Sequence, residues 1–114
     1  MPSNTTDNPA DKQFMTRVVD YVSSNLRDPQ LSVESIADAF SLSRSQVYRK
    51  VKSLTGQTVV EFIRTVRLKH ALTLMEEKKY NLTEVADRSG FNSLSYFTRS
   101  FKDKYGVAPS EVRN

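Results

Sequence analysis

The sequence predicts an all-α fold: seven helices in two similar subdomains joined by a long linker helix. Three observations lead there. Glycine and proline number three and four in 114 residues, and no Asn-Gly or Asp-Gly turn occurs. Apolar residues recur three and four apart more often than they alternate, the period of a helix rather than a strand. Finally, one stretch of the chain occurs twice, at an offset of 49 to 50 residues.

The elements follow in order. Residues 1–8, MPSNTTDN, are polar and aperiodic and read as a leader or linker remnant. Asn8 is placed to cap the first helix, with Pro9 at its first position and Asp11 in its first turn. Phe14, Val18, Tyr21, Val22 and Leu26 form its apolar stripe, and Asp28-Pro29 is expected to stop it. Ser32 caps a short helix containing Ile36, Ala37 and Phe40, and the polar break Ser41-Leu42-Ser43 follows. Ser43 and Gln46 have capping-box spacing; Val47, Val51 and Leu54 give the next stripe before Thr55-Gly56 ends that helix. Residues 9–57 make the first subdomain.

Thr58 and Glu61 form a second capping box, which opens the linker helix over residues 58–77. Its apolar residues change sides. Val59, Phe62, Ile63 and Val66 group on one face of the first half, while Leu68, Ala71, Leu72 and Met75 group roughly half a revolution away. A helix that serves one core carries one stripe, so this one is read as shared between two cores. Twenty helical residues span roughly 30 Å.

Residues 78–114 form the second subdomain, entered through the turn KKYN. Asn81 to Asp87 parallels Ser32 to Asp38 at an offset of 49. Beyond the next turn the offset is 50, so that Phe97, Arg99, Phe101, Lys102 and Gly106 answer Val47, Arg49, Val51, Lys52 and Gly56. The extra residue falls between the two helices of the unit, where insertion is tolerated best. Glu111 answers Glu61, and Pro109 suits the first turn of a short last helix. Each unit is a short helix, a tight turn and a longer helix, which makes the architecture two helix-turn-helix subdomains joined by a long linker helix. Ala37 and Ala86 let the paired helices approach closely; Gly90 suits the left-handed position of the second turn, where the first turn has Ser41.

Composition limits what such a chain does. Cysteine is absent, so disulfides and thiolate metal sites are excluded. No apolar run reaches membrane-spanning length, and the N-terminus has no signal-peptide pattern, so a cytoplasmic location is expected. The sole histidine, His70, has no catalytic partner, and no metal-ligand cluster or phosphate-cradling glycine loop occurs. No enzymatic activity, catalytic residue, metal or cofactor is expected. The net charge of +4 is uneven: residues 1–43 carry −3, residues 44–70 carry +6 and residues 71–114 carry +1. A basic middle suits a solvated helix face or a polyanion.

The outward faces of the two longer helices favour the polyanion. Opposite Val47, Val51 and Leu54 lie Arg44, Ser45, Tyr48, Arg49 and Lys52; opposite Phe97 and Phe101 lie Leu94, Ser95, Thr98, Arg99 and Lys102. A base-reading surface needs donors, acceptors or small apolar groups, with cations at its margin. Arg49 and Arg99 can fork onto guanine, while Lys52 and Lys102 suit phosphates. Either arginine alone reads as simple solvation, and the matched pair in a duplicated unit favours contact. Gln46 serves the cap or touches DNA; Tyr96 packs or reaches a phosphate. Arg64, Arg67 and Lys69 of the linker helix read as solvated or as internal salt-bridge partners, with contact to the DNA backbone as the further alternative. Major-groove segments on one side of B-DNA recur every roughly 34 Å, near the reach of the linker helix. A helical adaptor that binds protein through Tyr48 and Tyr96, and a non-specific nucleic-acid binder, remain alternatives.

The segments LSVESIADAFSLSRSQVYRKVKSLTGQTVVEFIRTVRLKHALTLM and LTEVADRSGFNSLSYFTRSFKDKYGVAPSEVR carry a resemblance to the DNA-binding domain of AraC/XylS-type transcription regulators, over nearly all of residues 12–113. GFNSLSYFTRSFKDKYGVAPSE matches the family's signature region, and LSRSQVYRKVKSLTGQT is most similar to the C-terminal output domains of hybrid two-component regulators. The resemblance implies that the third and sixth helices enter adjacent major grooves of double-stranded DNA. It puts base-reading sites on Ser45, Tyr48, Arg49, Ser95, Thr98 and Arg99, with Arg44, Gln46, Leu94 and Tyr96 as neighbours. It leaves activator or repressor open, admits RNA polymerase as a further partner, and implies a monomeric isolated domain and a dimeric full-length regulator. If the hybrid likeness holds, the chain is an excised or separately expressed output domain whose Met1 need not be a natural start, at the cytoplasmic end of a longer membrane-spanning regulator and itself without membrane contact; a stand-alone small regulator is the alternative. Two departures from the family pattern matter. Ala108 stands where a capping serine is common, so a frayed last helix is expected, and the small Ser45 and Ser95 imply sparse direct readout.

Overall fold

Seven helices and no strand make up the described residues, 8–113, of the computed structural model: α1 (Pro9–Ser24), α2 (Val33–Phe40), α3 (Arg44–Thr55), α4 (Val59–Glu77), α5 (Leu82–Arg88), α6 (Leu94–Tyr105) and α7 (Pro109–Arg113). The leader expected over residues 1–8 lies, apart from Asn8, outside the described residues. The chain divides into two compact units. Among the described residues, one holds residues 8–25 together with Gln30–Ile63; the other holds Leu26–Pro29 together with residues 64–113. The division therefore falls inside α4.

Local chemistry sets most of the helix starts. Asn8 accepts from the Ala10 amide, with Pro9 entering α1 behind it. Ser32 and Ser35 satisfy each other's backbone amides at the start of α2, a serine standing where Glu or Gln would complete the usual box. Ser43 and Gln46 do the same for α3, Thr58 and Glu61 for α4, and Asn81 and Glu84 for α5. At α7 half of the arrangement survives: Glu111 accepts from the Ala108 amide at 2.9 Å, and Ala108 has no side-chain acceptor to return. The five-residue helix forms on that half box with Pro109 buried.

The first helix ends earlier than Asp28-Pro29 demands. Asn25 terminates it, its amide bonded to the Val22 carbonyl and its side chain donating to the Tyr21 carbonyl at 2.7 Å. Leu26 thus leaves the stripe. It is buried in the second unit, where its carbonyl accepts from Nε and Nη2 of Arg67 at 3.1 and 2.9 Å. Burial lowers the pKa of Arg67, opposed by the charge on Tyr96. Its role is neither solvation nor an internal salt bridge but the capture of a backbone oxygen 41 residues away.

In the first unit Phe14, Val18 and Val22 of α1, Ile36 and Ala37 of α2, Val47 and Val51 of α3, and Val59, Phe62 and Ile63 of α4 are buried. Phe40 takes the edges of Phe14 and Tyr21 at 5.8 and 6.0 Å. The second core gathers Leu68, Ala71, Leu74 and Met75 of α4 with Val85, Ala86, Phe91, Phe97 and Phe101. The stripe on α4 does change sides, but its second half is centred on Ala71 and buries Leu74, leaving Leu72 half-buried.

Both turns have one geometry. In the first, the Leu42 amide reaches back to the Ala37 carbonyl and Ser41 to Asp38; in the second, Phe91 reaches Ala86 and Gly90 reaches Asp87. These are Schellman closures, and the left-handed residue each requires is Ser41 (φ 56°) or Gly90 (φ 92°). The offset is still 49 at Leu42 and Phe91 and has become 50 at the next caps, Ser43 and Ser93. Asn92 is therefore the inserted residue.

Candidate nucleic-acid interface

In the first unit α3 buries Val47 and Val51 and turns Arg44, Ser45, Gln46, Tyr48, Arg49 and Lys52 to solvent. Tyr48 is 47% exposed, unusual for an aromatic residue with a core beside it. Arg44, Ser45, Tyr48 and Arg49 line an open groove of about 410 Å³ together with Val33 from the start of α2. Three of the polar side chains on this face are engaged. Gln46 Oε1 accepts from the Ser43 amide, which assigns Gln46 to the cap; Lys52 Nζ reaches the Gly56 carbonyl at 3.3 Å; and Arg44 Nη1 donates to Glu34 Oε2 at 3.0 Å.

In the second unit α6 buries Phe97, Ser100 and Phe101, and exposes Leu94, Ser95, Arg99 and Lys102, while Thr98 is half-buried. Tyr96 is half-buried and packs edge-on against Phe91 at 5.6 Å, so packing is its first role. The Arg99 guanidinium lies 5.9 Å from the centre of the Tyr96 ring, a weak cation–π seat that biases where the fork points. The two faces thus share a register: Arg49 and Arg99 each follow by two residues a fully buried side chain, Val47 or Phe97.

Sequence reasoning missed Val33 on the groove, the Glu34 carboxylate on Arg44 and the backbone hold of Arg67. All three arise from folding across a turn or between distant segments, where no local spacing signals them. Among the described residues no group of three or more His, Cys, Asp or Glu is placed to hold a metal. Nor is any helix long and apolar enough to cross a membrane.

Two helix-turn-helix units, each presenting a polar, arginine-bearing face on its second helix, define a DNA-binding architecture. The helix-turn-helix domain family matches residues 36–114, and the chain belongs to the AraC type of that family, the DNA-binding domain of transcription regulators rather than an enzyme fold. It is 32% identical over 113 residues to "Histidine kinase P4" of Formosa agariphila, covering 99% of this chain and 8% of that protein. It is 33% identical over 86 residues to "HTH-type transcriptional activator RhaS" of Mannheimia succiniciproducens, covering 75% of this chain and 32% of the relative. Among solved structures, the DNA-binding domain of AdpA, described in complex with a target DNA, superposes with a TM-score of 0.79 at 31% identity, over 87% of this chain and 88% of that one. The chain thus spans a third or less of the length of these two curated relatives.

Proposed function

We propose that this chain is the output domain of a signal-responsive bacterial transcription regulator, and that it binds double-stranded DNA sequence-specifically with α3 and α6 in adjacent major grooves. The observation that carries the reading is the shared register of the two faces: Arg49 and Arg99 exposed at matching positions, each opposite a buried stripe. A duplicated unit inherits its register, but a merely solvated position is free to diverge afterwards, as Leu94 does from Arg44; an arginine kept in both copies favours two helices reading successive grooves. Support also comes from the AdpA domain, whose solved structure contains a target DNA. α4 has nineteen residues and so a length of roughly 28 Å, suited to groove segments recurring at roughly 34 Å.

Ser45, Tyr48, Arg49, Ser95, Thr98 and Arg99 are the proposed base-reading set, with Arg44, Lys52, Leu94 and Lys102 beside them. Lys52 and Lys102 contact phosphates, Lys52 by exchanging its bond to the Gly56 carbonyl for a charged partner. The likeness to a histidine kinase over almost the whole chain favours the hybrid two-component setting: a cytoplasmic output domain of a longer protein, monomeric alone and dimeric when its regulator pairs it, with RNA polymerase recruited at activated promoters.

Selection of bound duplexes from a random library tests the reading. Two enriched patches ten or eleven base pairs apart are expected. A single patch, or none, defeats the two-groove arrangement.

A further inference from the structure

Bonded to the groove-lining Arg44 of the first unit is a side chain of the wrong sign for a polyanion. Glu34, in the first turn of α2, follows the groove-lining Val33 in the chain, and its carboxylate holds the groove-lining Arg44, the first residue of α3. The acid is held in its charged form. Its pKa is lowered by its own backbone amide, then by the Arg44 side chain, and further by the Ser32 hydroxyl. The arginine so held lies at the mouth of a proposed base-reading face and would otherwise be free to take any phosphate that came near. The pair itself is largely exposed, at 57% and 70% of the two side chains, so water and salt screen it and the hold on Arg44 is partial, a matter of a few-fold in binding.

The second unit lacks the device. At the corresponding offsets Thr83 stands for Glu34 and Leu94 for Arg44, so both members of the pair are missing together. A duplication that loses the acid and the base at once, and retains Arg49 as Arg99, points to a joint role for the pair rather than a general need for charge at either place.

We propose that Glu34 is a specificity-determining residue: it withholds Arg44 from phosphates on non-cognate DNA and so lowers non-specific affinity more than specific affinity. The proposal rests on the DNA-binding reading above. Non-specific binding grows with the number of phosphates neutralised, so each arginine kept occupied removes one contribution wherever the protein lands. At the correct site the base contacts hold α3 in register and the Arg44 contact matters less.

Equilibrium binding of wild type, Glu34→Gln, Arg44→Ala and the double variant tests this. The duplexes are one carrying the selected site and one of random sequence, each measured across a salt series. Glu34→Gln is expected to tighten the random duplex by about fivefold and the selected duplex by less than about twofold, with the salt slope on random DNA rising by roughly one. In the Arg44→Ala background the same change should tighten the random duplex by less than about twofold, because no arginine remains to be released. Equal gains on both duplexes, or an undiminished gain without Arg44, overturn the proposal by reducing Glu34 to its contribution to net charge. Wild type binding neither duplex defeats the DNA-binding reading and this proposal with it, whereas binding that ignores Glu34 defeats only the proposal. Unchanged helical circular dichroism in Glu34→Gln confirms that α2 is intact, and Glu34→Asp, with the charge kept and the reach shortened, should reproduce the loss of discrimination.

Discussion

Arg67 holds the carbonyl oxygen of Leu26 with two donors, and the space for that contact exists because residue 90 has no side chain. A β-carbon on Gly90 would overlap the Leu26 oxygen and come within 2.7 Å of Arg67 Nε. Gly56 and Gly106 also have positive φ, but an added β-carbon there meets nothing within 4 Å. Gly56→Ala and Gly106→Ala should therefore cost about 1 kcal/mol each, from the left-handed backbone alone. Gly90→Ala should cost about 3 kcal/mol or more, since a backbone carbonyl must also move. Arg67→Ala, which leaves that carbonyl without its donors, should cost about 1–3 kcal/mol. Chemical denaturation of the four variants checks the order; equal losses at the three glycines would remove the special role of Gly90.

Ser41 does in the first turn what Gly90 does in the second, at φ 56° and with a side chain to accommodate. Ser41→Gly should stabilise the protein by about 0.5–1 kcal/mol, because glycine relieves the left-handed strain at a Schellman position. A thermal melt of that variant reads the effect. No gain, or a loss, would mean that the Ser41 side chain contributes more than its backbone strain costs.

Ala108 offers a similar opportunity at α7, where the Glu111 half of a capping box is already made. Ala108→Ser adds a side-chain acceptor for the Glu111 amide, which otherwise bonds only the Ala108 carbonyl at 3.0 Å, and should add about 0.5 kcal/mol. Hydrogen exchange at the amides of α7 should slow in parallel; a gain in stability without that slowing would locate its source elsewhere.

What was legible in the sequence shares one property: its cause lies within a few residues. The caps at Asn8, Ser32, Ser43 and Thr58 follow from a polar side chain and the spacing to its partner. The reversal of the stripe on α4 is a matter of 100° steps, though its breadth was not, and Leu74 took the depth expected of Leu72. The early end of α1 was illegible because Asp28-Pro29 supplies a stop strong enough to mask a weaker one, and Asn25 acts first. The Arg67 hold depends on a segment 41 residues distant, and Glu34 meets Arg44 only after the turn has closed. On the two faces, positions could be read from the repeat, while engagement could be read only in part: capping-box spacing offered Gln46 the cap without deciding it against DNA, and nothing in the order of residues shows that Arg99 rests on Tyr96.

Tyr105 gives a pH dependence of definite sign. It packs on Phe101 at 4.7 Å, and burial raises its pKa above the ordinary value of 10.0. A group whose folded pKa is raised contributes stability that is complete below its unfolded pKa and lost as pH rises through the folded one. The loss belongs to strongly alkaline solution, because ionisation would charge a ring seated against the second core. Tyr105→Phe should leave the melting temperature near neutrality almost unchanged and make it fall less steeply above pH 10. Parallel alkaline limbs for the two proteins would show that the phenol is freely solvated.

Arg49 and Arg99 are expected to specify, and Lys102 to attract. Arg49→Ala and Arg99→Ala should each weaken binding to the selected duplex by about 1–3 kcal/mol and relax base preference in a different one of the two patches. Lys102→Ala should weaken selected and random duplexes alike and lower the salt slope by about one. Repeating the library selection with each variant separates these outcomes, because a lost base contact changes which sequences are enriched and a lost phosphate contact does not. Ser45 and Ser95 are too short to compensate for a missing arginine, so little residual preference should survive in the affected patch. If affinity falls while the enriched sequences stay the same, both arginines are phosphate contacts, and the shared register of α3 and α6 reflects docking on the backbone rather than the reading of bases.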